Sequence, residues 1–282
     1  MPGTLFVVAT PIGNLEDITG RALRVLREAS IIAAEDTRRT GNLLTRYAIT
    51  TPTTSLHEHN EGLKTASLVA RLERGESVAL VSDAGTPTIS DPGQGLIRAA
   101  IDAGFRVESI PGPSAAIAAL AASGLPSETF TFLGFPPTRS KARADWFDRA
   151  TSIGGTIIFF EAPHRIRETL EELRQVTGDC RVAVCREMTK AHEDLVRGPI
   201  SQVLEEMREP LGEYTVVADI GQTTEILPLD PPAAATVLAE FGYMTNNSGL
   251  NRRAAVTALA KRHRIRPNEV YALIEAAKKS VE

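Results

Sequence analysis

The sequence predicts an α/β protein of two domains followed by a small helical module, on three observations. Short β-branched, apolar runs alternate with segments of helical period, and each run ends in a loop rich in Gly, Pro and polar residues. A Pro-rich break, Leu227-Pro228-Leu229-Asp230-Pro231-Pro232, then separates a basic tail from an acidic body. Four strand-helix units in the first half argue for a mostly parallel sheet with right-handed crossovers.

Thr4-Leu5-Phe6-Val7-Val8-Ala9 reads as the first strand, and Thr10-Pro11-Ile12-Gly13-Asn14-Leu15 breaks it before a helix carrying Ala22, Leu23, Val25 and Leu26. Ile31-Ile32-Ala33-Ala34 is a second strand, ending in the polar cluster Glu35-Asp36-Thr37-Arg38-Arg39-Thr40. An extended piece at 51–56 precedes a helix over 61–74, which Gly75 closes. The strand Val78–Val81 runs into Ser82-Asp83-Ala84-Gly85-Thr86-Pro87-Thr88-Ile89-Ser90-Asp91-Pro92-Gly93, a loop whose glycines let backbone approach a ligand and whose aspartates supply acceptors. A helix at 96–103 and a strand at 105–110 come next, and Pro111-Gly112-Pro113-Ser114-Ala115 opens a helix that runs to Gly124. Its first N–H groups and the Ser114 hydroxyl make a binding edge.

The second half reads as another α/β domain, with strands at 130–135, 156–160, 182–185 and 214–220 and helices at 141–150, 166–176 and 200–207. Two of these strands end in Glu161-Ala162-Pro163-His164-Arg165 and in Arg186-Glu187-Met188-Thr189-Lys190-Ala191-His192-Glu193. The domain boundaries expected are 1–113, 114–226, a linker at 227–235 and a module at 236–282. In that module Leu250, Ala254, Leu259 and Ala260 suggest one helix, and Val270, Leu273, Ile274 and Ala277 a second that Pro267 opens. With Arg264-Ile265-Arg266 as the turn between them and Lys261-Arg262-His263-Arg264 as a basic cluster, the pair reads as a helix-turn-helix module.

A chain of 282 residues that is 43% hydrophobic and 23% charged has the composition of a soluble globular protein. No apolar run approaches the roughly 18 residues of a membrane helix, and the amino terminus lacks a signal-peptide layout, so a cytoplasmic location is expected. Cys180 and Cys185 offer neither a disulfide framework nor a zinc pattern and read as small buried residues. The net charge of −4 conceals an asymmetry: residues 241–282 hold eight Lys and Arg against three Asp and Glu. A basic appendage on an acidic body suggests a polyanionic partner.

Several chemistries are excluded by pattern. No Gly-x-Gly-x-x-Gly follows the first strand and no Gly-Lys-Ser/Thr phosphate loop occurs, which argues against dinucleotides and nucleoside triphosphates. Nor is there a His-Glu-x-x-His or a Gly-x-Ser-x-Gly elbow. What remains is a cleft edged by Gly, Pro, Ser, Thr and carboxylates, suited to a zwitterionic, adenine-bearing ligand.

Six ordered motifs carry a resemblance over residues 4–222: Thr10 to Leu15, Ala34-Glu35-Asp36-Thr37-Arg38, Ser82 to Gly93, Pro111 to Ala115, Phe160-Glu161-Ala162-Pro163-His164-Arg165 and Cys185-Arg186-Glu187-Met188-Thr189-Lys190. The chain resembles the ribosomal RNA small-subunit methyltransferase I family of the tetrapyrrole-methylase-like superfamily, a two-domain class III methyltransferase fold. The resemblance implies methyl transfer from S-adenosylmethionine to the ribose 2′-hydroxyl of a cytidine in the decoding region of 16S rRNA, with no metal, by a homodimer acting on rRNA or the small ribosomal subunit. Carried onto matching positions, Pro11, Asp83, Ala84, Gly85, Thr86, Ser90, Ser114, Ala115, Ala162 and Pro163 line the cofactor site. Glu35, Glu161, Glu187 and Glu193 are general-base candidates, and Lys190 a candidate for favouring the alkoxide; Glu35, Lys190 and Glu193 form the catalytic set. Arg38, Arg39, Arg165, Arg186, Arg252, Arg253, Lys261 and Arg262 are assigned to RNA, chiefly its phosphates.

Two other functions stay open at this level. A tetrapyrrole methyltransferase of the same superfamily would leave the basic tail without a purpose, and a ligand-sensing DNA-binding regulator would use the cleft for an effector and the tail for a major groove.

Overall fold

β1 (Thr4–Val8), β2 (Ile31–Ala34), β3 (Thr53–Ser55), β4 (Val78–Val81) and β5 (Arg106–Ile110) form one sheet in the order β3-β2-β4-β1-β5, every pair parallel. The structure is a computed structural model that describes residues 3–208, 211–221, 234–246, 251–263 and 267–279. β2 and β4 are buried at every position, as central strands of a parallel sheet covered on both faces must be. On one face α1 (Gly20–Glu28) and α2 (Thr37–Arg46) press Val25, Leu26, Leu43 and Leu44 onto Val8, Ile32 and Val81. On the other, α3 (Glu61–Glu73) and α4 (Gln94–Asp102) press Leu68, Leu72 and Leu96 onto Leu5, Ile31 and Leu80. Each such side chain contributes about 1.5–3 kcal/mol by leaving water.

Strand register decides where the loops emerge. Ala34 pairs with Val81 and Val8 with Ile110, so the chain leaves the sheet at Ala9, Glu35, Ser82 and Pro111 along one edge. Helix capping sharpens two of these exits: Asp36 accepts from the Arg38 N–H at 2.8 Å to start α2, and Thr19 accepts from Ala22 at 3.1 Å to start α1.

The second sheet is mixed. In sequence its elements are α5 (Ala115–Ser123), β6 (Phe130–Phe132), α6 (Ser140–Ile153), β7 (Thr156–Glu161), α7 (Ile166–Thr177), β8 (Arg181–Arg186), β9 (Asp194–Pro199), α8 (Ile200–Glu206) and β10 (Tyr214–Asp219). The strand order is β6-β7-β10-β8-β9, with β6 parallel to β7 and the other pairs antiparallel. α5 covers one face with Ala116, Ala119 and Leu120, while α6, α7 and α8 cover the other with Trp146, Phe147, Leu170, Leu173 and Val203. β9 was not expected from the sequence, because it is an edge strand in which only Gly198 is buried and which ends in Pro199. Cys185 is buried, and burial pushes its thiol up to about 12; Cys180, expected to be buried, is only partly covered.

The chain divides into two compact units, Met1–Thr223 and Thr224–Glu282. Among its described residues the second holds three helices, where two were expected: α9 (Ala234–Asn246), α10 (Arg252–His263) and α11 (Pro267–Lys279). Val237 and Phe241 of α9 join Val256, Leu259, Val270 and Ile274 in a single core. An Ala-rich helix without a lysine or arginine gave little periodic signal beside its basic neighbours. The Pro-rich stretch 227–232, Leu250 and the expected turn Arg264-Ile265-Arg266 lie outside the described residues. Among the described residues no helix is long and apolar enough to cross a membrane.

Gly93, the residue before α4, holds φ +116°, and a Cβ placed there would stand 2.7 Å from Leu80 Cδ2 in the core. Gly93→Ala therefore combines backbone strain with overpacking and is expected to destabilise the protein by about 2–4 kcal/mol in denaturant unfolding. A loss below about 0.5 kcal/mol would mean that the α4 entry relaxes freely.

Candidate functional site

The four loops at the edge of the first sheet face the loops at the ends of β7 and β8, and a cleft of about 460 Å3 lies between them. Asp83, Ala84, Gly85, Thr86 and Ser90 line it from the loop after β4, Ser114 and Ala115 from the start of α5, and Ala162 and Pro163 from the loop after β7. Glu35 and Arg39 line it as well. Pro11 does not; together with Lys190 it lines a smaller neighbouring pocket of about 190 Å3.

Backbone conformation brings these loops close. Gly85, at φ +78°, forms an isolated bridge with Thr10, with N–O distances of 2.8 and 3.0 Å, and the Thr86 hydroxyl donates to the Pro113 carbonyl at 3.2 Å. Thr88 and Ser90 also hold positive φ, 73° and 67°, as do Glu187 and Thr189 at 51° and 65° in the loop after β8. Non-glycine residues held this way each cost of order 1–3 kcal/mol, and such strain gathers at ligand-binding edges. Gly13 marks where the loop after β1 touches the loop after β8, since a Cβ there would lie 2.6 Å from Lys190 Cγ and 2.7 Å from the Met188 carbonyl. Next to it the Asn14 N–H donates to Thr189 Oγ1 at 2.9 Å.

Carboxylates concentrate on the side of the first sheet. The Asp83 N–H donates to Glu35 at 3.3 Å, while the Asp83 carboxylate accepts from the Asp36 N–H at 2.9 Å and pairs with Arg39 at 3.4 Å. Burial raises the Glu35 pKa, and the nearby Asp83 charge adds to that. Asp91 is pushed up to about 6, first by burial and then by the charge of Glu35. Among the described residues no group of three His, Cys, Asp or Glu stands ready to hold a metal ion. Opposite the carboxylates, Ser114 is the N-cap of α5 yet its side chain makes no capping bond, so the first-turn N–H groups are open to an anionic ligand group.

Several expected residues take other places. Glu161 is 2% exposed and wholly committed: its carboxylate pairs with Arg165 and with Arg143 at 3.8 Å, and accepts from the Thr169 hydroxyl and the Ala162 N–H at 2.6 and 2.7 Å. It holds the β7 loop in shape instead of serving as a base. Arg165, assigned to RNA, is bound inward to Glu161 and the Pro136 carbonyl. Lys190 bridges Glu187 and Glu213 at 2.9 and 3.0 Å; these carboxylates outweigh the opposing effect of its burial and raise its pKa. Glu193 lines neither pocket and accepts from the Thr189 N–H at 2.9 Å. Arg38 is exposed and folds back on Asp36 at 2.8 Å, which holds that carboxyl well below its usual range. Arg186 donates to the His192 carbonyl at 3.4 Å, and its Nε is buried without a partner among the described residues. In the second unit Arg252 stacks its guanidinium 5.9 Å from the Phe241 ring; the side chains of Arg253, Lys261 and Arg262 lie outside the described part of the structure.

The sequence reading missed one wall entirely. Gly212, Glu213, Tyr214 and Thr215 line the cleft from the entry to β10. β10 runs antiparallel to β7 and β8, so its first residue, Tyr214, lies beside Glu161 and Arg186 at their ends. Ile12, Ile89, Phe135, Phe160 and Met188 give the cleft its apolar surface.

The buried cluster yields a direct expectation. Arg143 also pairs with Glu172 at 2.6 Å, so Glu161→Gln leaves chiefly the buried Arg165 without its counter-charge, at a cost of about 3–5 kcal/mol, read by denaturant unfolding. A change below 1 kcal/mol would show that Arg165 finds another partner.

Known proteins share both the fold and much of this sequence. The family model described as Tetrapyrrole (Corrin/Porphyrin) Methylases matches residues 4–204. A Vibrio cholerae protein named ribosomal RNA small subunit methyltransferase I is 50% identical over 201 residues, which cover 71% of this chain and 70% of that one. Its namesake from Halalkalibacterium halodurans is 46% identical over 219 residues, 77% of this chain and 76% of that one. Among solved structures, diphthine synthase aligns with a TM-score of 0.59 at 17% identity, covering 77% of this chain and 90% of that one. Uroporphyrin-III C-methyl transferase from Thermus thermophilus, complexed with S-adenyl homocysteine, aligns at 0.54 and 18% identity, over 77% and 98% of the two chains. At such identities these structures establish the shared fold alone. The family model and the curated relatives together mean that the chain belongs to the tetrapyrrole methylase family, and within it to the ribosomal RNA small subunit methyltransferase I proteins.

Proposed function

We propose that this protein binds S-adenosylmethionine in the 460 Å3 cleft between domains 1–113 and 114–226, and methylates the ribose 2′-hydroxyl of a decoding-region cytidine in small-subunit rRNA. The observation that carries the reading is the meeting of half-buried carboxylates with an uncapped helix N-terminus in one apolar-walled cleft. Relatives named for small-subunit rRNA methylation, at 46–50% identity, favour RNA over a porphyrinoid substrate or an effector.

The residues fit the cofactor. Gly85 leaves room for close backbone approach, Ile89, Phe135, Phe160 and Met188 offer an apolar face to an adenine, and Asp91 offers charge to a cationic centre. The Ser114 hydroxyl and the first N–H groups of α5 suit a carboxylate. When bound, S-adenosylmethionine supplies a methyl group on a positively charged sulfur, the electrophile of an in-line displacement. The protein's part is alignment, which can supply roughly 7–11 kcal/mol. Glu35 and Glu161 are the base candidates that line the cleft; Glu161 is committed to Arg165 and Thr169, whereas Glu35 has a raised pKa that fits it to accept the hydroxyl proton. Arg39, two-thirds exposed at the cleft rim, is placed to hold an RNA phosphate.

Calorimetric titration with S-adenosylmethionine tests the cofactor half of this reading. Gly85→Val, at φ +78° with Ile12 Cγ2 3.4 Å from the new Cβ, is expected to abolish binding while the protein stays folded. Undiminished affinity would remove Gly85 from the site. The pH dependence has a definite sign. Asp91 is ionised only above about pH 6, so affinity for the cationic cofactor should fall as pH drops below that value, by up to about tenfold per unit. In the free protein the raised pKa works the other way: stability from the protonated carboxyl is present at pH 4 and is lost as pH rises through about 6. Asp91→Asn should therefore flatten both profiles, and an unchanged binding profile would exclude Asp91 from cofactor contact.

A further inference from the structure

The two faces of the first sheet differ in charge. The helices on one face, α3 and α4, hold Lys64, Arg71 and Arg98 against Glu61, Glu73 and Asp102, an even balance. Those on the other, α1 and α2, hold six arginines, all exposed, and no lysine, against Glu28 alone. That excess stands on an acidic body, since residues 1–240 contain 23 Lys and Arg but 32 Asp and Glu. A solvated helix face is commonly balanced by neighbours on its own helix, as Arg98 is by Asp102. On α1 and α2 that balance is missing, and like charges gathered in this way favour a polyanion that covers them.

Three of the six are answered by carboxylates: Arg21 by Glu108, Arg38 by Asp36 and Arg39 by Asp83, at 3.0, 2.8 and 3.4 Å. Arg24, Arg27 and Arg46 have no carboxylate within 4 Å among the described residues, although Glu28 follows on α1 and Glu16 and Asp17 lie in the turn before it. These three are gathered, not scattered. Arg24 and Arg27 stand three residues apart on one side of α1. The Arg27 guanidinium donates to the Tyr47 carbonyl at 3.2 Å, and Arg46 Cζ lies 5.7 Å from the centroid of the Tyr47 ring, so the two helices bring both arginines to one residue. Arg46 also stands seven residues beyond Arg39 on the same side of α2, about 10 Å along its axis. Arg39 lines the cofactor cleft. A row of arginines therefore leads from the rim of the cleft along α2 and across to α1.

We propose that this row is a docking surface for the RNA backbone on one side of the methylated nucleotide. Arg39 takes the phosphate nearest the cleft, and Arg46, Arg27 and Arg24 take phosphates farther along the strand. The use of arginine throughout fits that partner, because a guanidinium is always charged, weakly hydrated and able to hold two phosphate oxygens at once. Contacts of this kind read no base; they fix where the strand lies, and so which ribose reaches the cleft. The assignment rests on RNA being the methyl acceptor.

The test uses full-length protein, small ribosomal subunits lacking the modification, and S-adenosylhomocysteine as the cofactor-site probe. Arg24→Gln/Arg27→Gln/Arg46→Gln should raise KM for the subunits by about tenfold or more, with kcat and S-adenosylhomocysteine affinity unchanged. The slope of log KM against log salt should become shallower by about 2, because each lost phosphate contact removes about 0.7–0.9. The matching triple substitution to Lys, which keeps the charge, should stay within about threefold of wild type. Lys64→Gln/Arg74→Gln/Arg98→Gln, which removes as much charge from the α3–α4 side, should leave KM unchanged. If wild-type protein transfers methyl but the α1–α2 Gln variant keeps its KM within about twofold and its salt slope, the face does not hold RNA and the function stands. An equal rise in KM for the α3–α4 variant would trace the effect to net charge and overturn the placement. A change in sedimentation of the α1–α2 variant without a change in KM would give the face to a second copy of the chain instead. If wild-type protein transfers no methyl to RNA, the functional reading fails and takes the docking surface with it.

Discussion

In the first sheet Ala34 stands beside Val81 and Val8 beside Ile110, and from this parallel register the cleft is built. Parallel strands that end level deliver their succeeding loops to one edge, where the Thr10, Glu35, Ser82 and Pro111 segments meet. A slip of one residue in any of these strands would turn its buried side chains to the wrong face and carry its loop away from the edge. The fully buried β2 and β4, clamped by leucines from four helices, make such a slip costly.

At that edge the protein keeps what a folding optimum would avoid. Thr88 and Ser90 there, like Glu187 and Thr189 in the facing loop after β8, hold left-handed backbone, and Asp91 shares the cleft with Glu35 at the expense of a raised pKa. The Asp83 carboxylate, tied to the Asp36 N–H and Arg39, braces the loops after β2 and β4 against this strain. Across the cleft Glu161 does the same for the loop after β7, held between two arginines and a threonine. A cationic ligand would relieve the carboxylate repulsion, so the features that oppose folding are those that favour binding.

Much of this was legible in the sequence because the signals were local. Glycines, prolines and short polar residues after β-branched runs mark the ends of parallel strands, and Asp83 to Thr86, Ser90, Ser114, Ala115, Ala162 and Pro163 do line one cleft. The illegible parts depended on pairing. Gly212 to Thr215 reach the cleft because β10 is antiparallel, and strand direction is not written in four residues. Glu161 and Arg165 look like free chemistry in a motif, and only tertiary burial shows that each is occupied by the other. α9 was overlooked because alanine-rich helices carry weak periodicity, and β9 because an edge strand with Gly198 and Pro199 resembles a loop.

The measurement that bears most directly on the proposed chemistry is transfer of labelled methyl from S-adenosylmethionine to small ribosomal subunits lacking the modification, with the labelled nucleoside identified by mass spectrometry. The expected product is 2′-O-methylcytidine at a single decoding-region position, formed at a rate that falls when Glu35 is replaced by Gln. Label on a base carbon or nitrogen, or no label despite demonstrated cofactor binding, would contradict it.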